Sequence, residues 1–282
     1  MQRQTFRMDA GWRFHLGDLP VPPARGHDVT YNLTKAERAR GAMTRDYDDS
    51  AWPLVDLPHD YVVRGQAVPE ENEDHACLPR PNAYYRRTFL LEEADQDSRI
   101  VLHFDGVVTR ATVAVNGLIL ARSFTGAVGF DADITDVARF GQDANVVAVY
   151  VDNTNFEGWY YEGGGINRHV WLIKTSRQAV DTDGVFVHTS PADAGNLAGD
   201  WVAEVQTTLR NDYREATSLR VRAAFLDPQG REAAEVMSEP VDVLPYGKAT
   251  AVQRATLPCG QLWSVETPTL YTLRTQVLRD GD

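Results

Sequence analysis

Arg110-Ala-Thr-Val-Ala-Val-Asn-Gly-Leu-Ile-Leu-Ala-Arg-Ser123 decides the fold class. Both halves are short and rich in β-branched or aliphatic residues. Asn116-Gly117 between them accepts the positive φ that a tight hairpin turn demands. The same signature spreads outward, to residues 98–105 upstream and to 145–152 and 169–174 downstream. It recurs at 184–189, 201–210, 218–226, 249–257 and 270–278, with turns such as Asp227-Pro-Gln-Gly230 between the runs. Helix-period segments are scarce: 34–40 fits a turn or two, and 134–140 another with Thr135 as N-cap. Short strands without intervening helices predict an all-β chain of antiparallel sandwiches.

The 282 residues are enough for two domains. The expected break lies near 175–183, which gives a domain at 1–178 and another at 179–282. The second has the size and strand number of an immunoglobulin-like sandwich. The first carries two long loops, 17–48 and 64–82, and long loops on a sandwich are usually functional or mobile. The strand at 270–278 should turn Tyr271, Leu273, Thr275 and Val277 to the core. Arg279-Asp-Gly-Asp282 reads as the start of a hairpin turn, so a partner strand is expected beyond it and the sandwich is expected to lack its last strand.

The formal charge of −12 argues against nucleic acid and against docking on an anionic membrane. No apolar run approaches the ~20 residues that span a bilayer. The N-terminus has no apolar leader segment, so a cytoplasmic location is expected. Cys77 and Cys259 form no disulfide framework.

The stretch with most chemistry is Asp152-Asn-Thr-Asn-Phe-Glu-Gly-Trp-Tyr-Tyr-Glu-Gly-Gly-Gly-Ile-Asn-Arg-His-Val-Trp171. Aromatic faces beside carboxylates and amides suit a sugar, whose C–H faces stack on rings and whose hydroxyls pair with polar forks. Glu157, Trp159, Tyr160 and Glu162 fit that role and a scaffolding role equally well. Gly163–Gly165 read as a structural corner and Trp171 as core filler. The second rich loop, Gln66-Ala-Val-Pro-Glu-Glu-Asn-Glu-Asp-His-Ala-Cys-Leu-Pro-Arg80, reads first as a solvated acidic loop. One histidine without regular spacing makes a poor zinc site. Asp131, Asp133 and Asp136 lack the glycine and glutamate of a calcium loop. No nucleophile elbow is present, and His59 in Leu57-Pro-His-Asp60 reads as a turn residue.

Together the motifs resemble the N-terminal part of glycoside hydrolase family 2, the β-galactosidase, β-glucuronidase and β-mannosidase group. Gly11-Trp-Arg-Phe14 is similar to its opening strand. Tyr47-Asp-Asp-Ser-Ala-Trp52 with Val55-Asp-Leu-Pro-His-Asp60 resembles its early signature. Ala83-Tyr-Tyr-Arg-Arg-Thr-Phe89, then Phe104-Asp-Gly-Val107 with Val113-Ala-Val-Asn-Gly117, resemble the strands that follow. Glu162-Gly-Gly-Gly-Ile-Asn-Arg-His-Val-Trp-Leu172 resembles its closing motif, and Leu262-Trp-Ser-Val-Glu-Thr-Pro-Thr-Leu-Tyr271 a segment of its second domain.

The resemblance implies a jelly-roll-like, galactose-binding-type sandwich followed by an immunoglobulin-like β-sandwich, with a catalytic TIM barrel beyond this chain. In such retaining glycosidases a carboxylate pair about 5–5.5 Å apart does the chemistry. The family's pair sits on barrel strands, so no catalytic residue is expected here. First-domain loops that reach the barrel mouth imply substrate contacts from Asn72, His75, Glu157, Trp159 and Glu162. No cofactor is implied for this stretch, and a monovalent or divalent cation is implied at the barrel of the intact enzyme. The implied partners are a β-linked carbohydrate and the barrel of the same polypeptide, with assembly into a homo-oligomer left open. The expected activity of the whole is β-galactoside hydrolysis. A β-glucuronidase, a free-standing lectin-like module and a sandwich without ligand remain as alternatives.

Overall fold

The computed structural model describes residues 2–155, 158, 160–258 and 261–279. It divides into two compact units, Met1–Thr175 and Ser176–Asp282. The chain is all-β, a jelly-roll-like sandwich followed by an immunoglobulin-like one.

The first unit carries β1 (Gln4–Arg7), β2 (Trp12–Leu16), β3 (Leu54–Val55), β4 (Ala83–Phe89), β5 (Ser98–Phe104), β6 (Arg110–Val115), β7 (Leu118–Ser123), β8 (Phe130–Asp133), β9 (Asn145–Asp152) and β10 (Val170–Ser176). A six-stranded sheet runs β3-β2-β4-β9-β6-β7 and a four-stranded one β1-β10-β5-β8. The alternation read from the sequence sets the core. Ile100, Leu102 and Phe104 of β5 are fully buried, as are Val113 and Val115 of β6 and Val147, Val149 and Val151 of β9. Trp12 and Tyr85 close the same cluster. Asn116 adopts φ 51° and Gly117 φ 82°, the paired positive values of the predicted hairpin.

The loop at 17–48 has its own task. Ala39, Ala42 and Met43 form a second apolar cluster with Trp52, Tyr84, Ala114 and Ala148. These last three belong to β4, β6 and β9 and alternate with residues of the main core, so the loop shields the other face of the six-stranded sheet. Arg86 of β4 pins the segment behind it. The residue is 1% exposed. It donates to Asp49 Oδ2 (2.7 Å) and to the carbonyls of Ala42 (2.6 Å), Thr44 (2.8 Å), Arg45 (3.3 Å) and Tyr47 (3.2 Å).

Three local readings change. The helix of this loop is α1 (His27–Lys35), earlier than residues 34–40; Gly26, at φ 88°, accepts from Thr30 N and starts it. At 134–140 there is a single turn capped by Asp133, whose Oδ1 accepts from Thr135 N at 3.1 Å. Thr135 instead spends its hydroxyl on Ile100 N, 3.0 Å away. Trp171 does not fill the core. It alternates with buried Val170 and Leu172, donates Nε1–H to Asp105 at 3.1 Å and lies under the Arg7 guanidinium at 5.1 Å.

The second unit holds β11 (Gln178–Pro191), β12 (Trp201–Asn211), β13 (Thr217–Leu226), β14 (Glu232–Met237), β15 (Val241–Val243), β16 (Lys248–Leu257) and β17 (Thr272–Arg279). One sheet runs β11-β12-β16; the other is β14-β13-β15 with β17 paired to β13. β11 starts before residue 184 because a register shift between Val180 and Val185 absorbs the polar Asp181-Thr-Asp-Gly184 step. Leu273 and Val277 of β17 pack on the two inner clusters, as its alternation predicts. Gln253 ties the sheets by donating to the carbonyls of Val221 (2.6 Å) and Val236 (3.2 Å). Cys259 and residues 280–282 lie outside the described residues.

Candidate functional site: two cross-braced loops

Strand order explains why two loops far apart in sequence meet. β4 and β6 both flank β9, with Ala83 opposite Val151 and Arg110 opposite Asp152. The end of the acidic loop, the residue before β6 and the first residue after β9 therefore fall side by side. Those residues are Arg80, Thr109 and Asn153.

Arg80 fills the gap between them. Its NH2 donates to Thr109 Oγ1 (2.7 Å) and Asn153 Oδ1 (3.1 Å). Its NH1 pairs with Glu162 Oε2 at 3.0 Å, and the two side chains are 11% and 7% exposed. Thr109 Oγ1 also lies 2.7 Å from Asn153 Oδ1 and 3.1 Å from the Asn155 carbonyl. Glu162 Oε1 accepts from Gly158 N at 2.8 Å. One guanidinium thus grips both stems of the loop at 153–162. A planar fork suits this task, since one charge must serve three acceptors in fixed directions.

A second brace sits one residue away. Asp60 Oδ1 accepts from the amides of Val62 (3.0 Å) and Gly164 (3.1 Å), and its Oδ2 accepts from the Tyr161 hydroxyl at 2.7 Å. Burial, with Asp60 adding to it, pushes the Tyr161 phenol up, so it stays protonated and keeps donating. Gly163–Gly165 form the corner the sequence predicts, for reasons of space as well as φ. A Cβ on Gly163 would come within 2.5 Å of Asp60 Oδ2, and one on Gly165 within 2.3 Å of the Tyr85 hydroxyl. Val108 and Gly165 exchange backbone hydrogen bonds at 2.9 Å and close the corner. His59 is buried beneath it, with Nδ1 2.8 Å from the Tyr85 hydroxyl. Burial, then the Arg64 charge, lowers its pKa, so the neutral imidazole is the resident form.

The five residues expected to touch substrate meet different fates. Glu162 is buried in an ion pair with Arg80, its Oε2 3.0 Å from NH1. Asn72 caps the 3₁₀ turn Glu73–His75, its Oδ1 accepting from Asp74 N at 2.8 Å. His75 is buried at the end of that turn. Glu157 and Trp159 lie outside the described residues. Exposed on the two loops are Tyr160 (66%), Tyr161 (39%) and the acidic residues Glu70, Glu71, Glu73 and Asp74. Among the described residues no cluster of histidine, cysteine and carboxylate groups could hold a metal ion. Sequence reading passed over Arg80, Asp60, Thr109 and Asn153. The only signal for Arg80 and Glu162 was opposite charge, and strand order is what makes them neighbours.

Two family models match the chain. The glycosyl hydrolase 2 galactose-binding domain-like model covers residues 55–208, and the glycosyl hydrolases family 2 model covers 182–282. The chain belongs to glycoside hydrolase family 2. Among relatives of this family-2 chain is the β-galactosidase BoGH2A of Bacteroides ovatus, 32% identical across 99% of this chain and 30% of its own length. A β-glucuronidase of Formosa agariphila is 24% identical across 96% of this chain and 27% of its own. A family-2 member from Bacteroides cellulosilyticus shares the fold with a TM-score of 0.80 at 27% identity, over 99% of this chain and 35% of that one. The chain therefore spans about a third of the length of these family-2 proteins and corresponds to their N-terminal region.

Proposed function

We propose that this chain is the sugar-binding and scaffolding portion of a retaining family-2 glycosidase of β-galactosidase type. Residues 1–178 serve as the sugar-binding jelly roll and 179–282 as the immunoglobulin-like spacer. Its partners are a β-linked carbohydrate and a catalytic barrel further along the same polypeptide. The observation that carries this reading is the cross-braced pair of loops, in which Asp60 and Arg80 hold Tyr161 and Glu162. Such a brace spends buried charge to fix two loop stems while the adjacent aromatics stay exposed, which suits a rim that presents side chains to a ligand. The chain binds and positions; bond cleavage belongs to the carboxylate pair of the barrel.

A β-glucuronidase is the second reading, favoured by relatives of that name. Charge supports the galactoside. Arg80 is committed to Glu162, and four exposed carboxylates at 70–74 disfavour a uronate beside them. The test is the kinetics of the whole polypeptide encoded with this chain on p-nitrophenyl β-galactoside and β-glucuronide, with the chain alone as control. Turnover of the galactoside by the whole and none by the chain is expected. A whole protein that prefers the glucuronide overturns the galactoside reading.

A further inference from the structure

We infer that Arg80 is a positioning residue for sugar recognition: it touches no sugar, yet sets the affinity by fixing the stems of the loop at 153–162. The inference rests on the sugar-binding reading above and goes beyond it by naming the residue on which that binding depends.

The geometry separates Arg80 from an ordinary surface ion pair. Asn153 opens the loop and Glu162 closes it, and both end on one guanidinium, at 3.1 and 3.0 Å. The contact is also relayed inward, because Glu162 holds Gly158 N at 2.8 Å and Thr109 holds the Asn155 carbonyl at 3.1 Å. Asn82 adds a parallel tie, its Oδ1 accepting from Asn153 N at 2.9 Å. Tyr160, 66% exposed, stands in sequence between Gly158 and Glu162, which are bonded to each other. A loop fixed in its binding shape loses less entropy when ligand arrives, and affinity drops once the fixing group is gone.

Lysine cannot replace this fork. It keeps the charge but offers a single ammonium where Thr109, Asn153 and Glu162 need donors in one plane. Arg80→Lys is therefore expected to fold, to keep the second unit unchanged, and to release the loop. Glu162→Gln keeps one oxygen, which can serve Gly158 N, and gives up the charge that pairs with Arg80, while Arg80 keeps Thr109 and Asn153, so it should loosen the loop less.

The experiment uses the 282-residue chain and its Arg80→Lys, Glu162→Gln and Ile100→Val forms. Amide hydrogen exchange reports loop order, and titration with methyl β-D-galactopyranoside followed by amide shifts reports affinity. Ile100→Val thins the core far from the loops and controls for a loss of stability without loss of the brace. The expected result is faster exchange at 153–162 in Arg80→Lys, affinity weaker by roughly fivefold or more, a smaller loss in Glu162→Gln, and unchanged affinity in Ile100→Val. Unchanged exchange at 153–162 in Arg80→Lys overturns the positioning role. Affinity that falls equally in Ile100→Val overturns it too, because stability alone then accounts for the loss. If the unmodified chain shows no shift with the galactoside, the sugar-binding reading itself fails, and this is told apart by exchange that still responds to Arg80→Lys.

Discussion

Tyr161 and Asp60, 101 positions apart in sequence, meet through an O–H···O bond of 2.7 Å. The next residue, Glu162, turns to Arg80 instead. Consecutive side chains thus anchor one loop to the two ends of another.

Removing only the hydroxyl isolates one arm of the brace. Tyr161→Phe leaves Asp60 with its amide donors from Val62 and Gly164. It should cost about 1 kcal/mol, the usual worth of one hydrogen bond. Urea denaturation followed by near-ultraviolet circular dichroism measures it, and a loss above about 3 kcal/mol would mean that Asp60 had been left unsatisfied.

The corner glycines should differ sharply from an open one. Gly165→Ala places a methyl 2.3 Å from the Tyr85 hydroxyl and 2.7 Å from the His59 carbonyl at φ 114°. It should cost about 3 kcal/mol or more. Gly11 also has positive φ, but nothing lies within 4 Å of its Cβ position. Gly11→Ala should cost about 1–2 kcal/mol, from the left-handed backbone alone. Thermal unfolding of the two variants side by side checks the ranking.

Arg86 is the most deeply buried charged residue among those described in the first unit. Arg86→Met leaves Asp49 unpaired and the carbonyls of Ala42, Thr44, Arg45 and Tyr47 without their donor. A loss of about 3–5 kcal/mol is expected. Protease sensitivity should appear first within residues 41–49. Cleavage confined to other segments would separate Arg86 from that loop.

Much of the fold was legible because its signals are local. Strand alternation in β5, β6 and β9 needs only β-branched residues at every second position, and Asn116-Gly117 marks its own turn. The N-terminus of α1 was missed because Gly26 starts it through φ, and Val29, Tyr31 and Leu33 are the helix's only apolar residues. Trp171 misled because large aromatics favour cores, whereas here an outward register is stabilised by Asp105 and Arg7. The site was less legible. The corner glycines announced themselves by composition, but Arg80 and Asp60 acquire meaning only when strand order brings residues 60, 80, 109, 153 and 162 together.

Acid should reach the site through His59. Its pKa is lowered in the fold, chiefly by burial and then by Arg64. As pH falls below the ordinary value of 6.5, the unfolded chain binds a proton that the folded one resists, so stability drops. His59→Gln should flatten that part of the stability profile between about pH 7 and 5. Chemical denaturation across that range, for both forms, tests the sign. A wild-type profile that rises toward acid in this window would contradict it.

The central claim is that the loops at 64–82 and 153–162 form one sugar-facing rim. Amide shifts of the isotope-labelled chain during titration with methyl β-D-galactopyranoside test it most directly. The predicted result is a set of shifts gathered on those two loops, with a dissociation constant in the millimolar range, on the order of −4 kcal/mol. Shifts gathered elsewhere in the chain, or a micromolar constant for glucuronate in place of the galactoside, would contradict it.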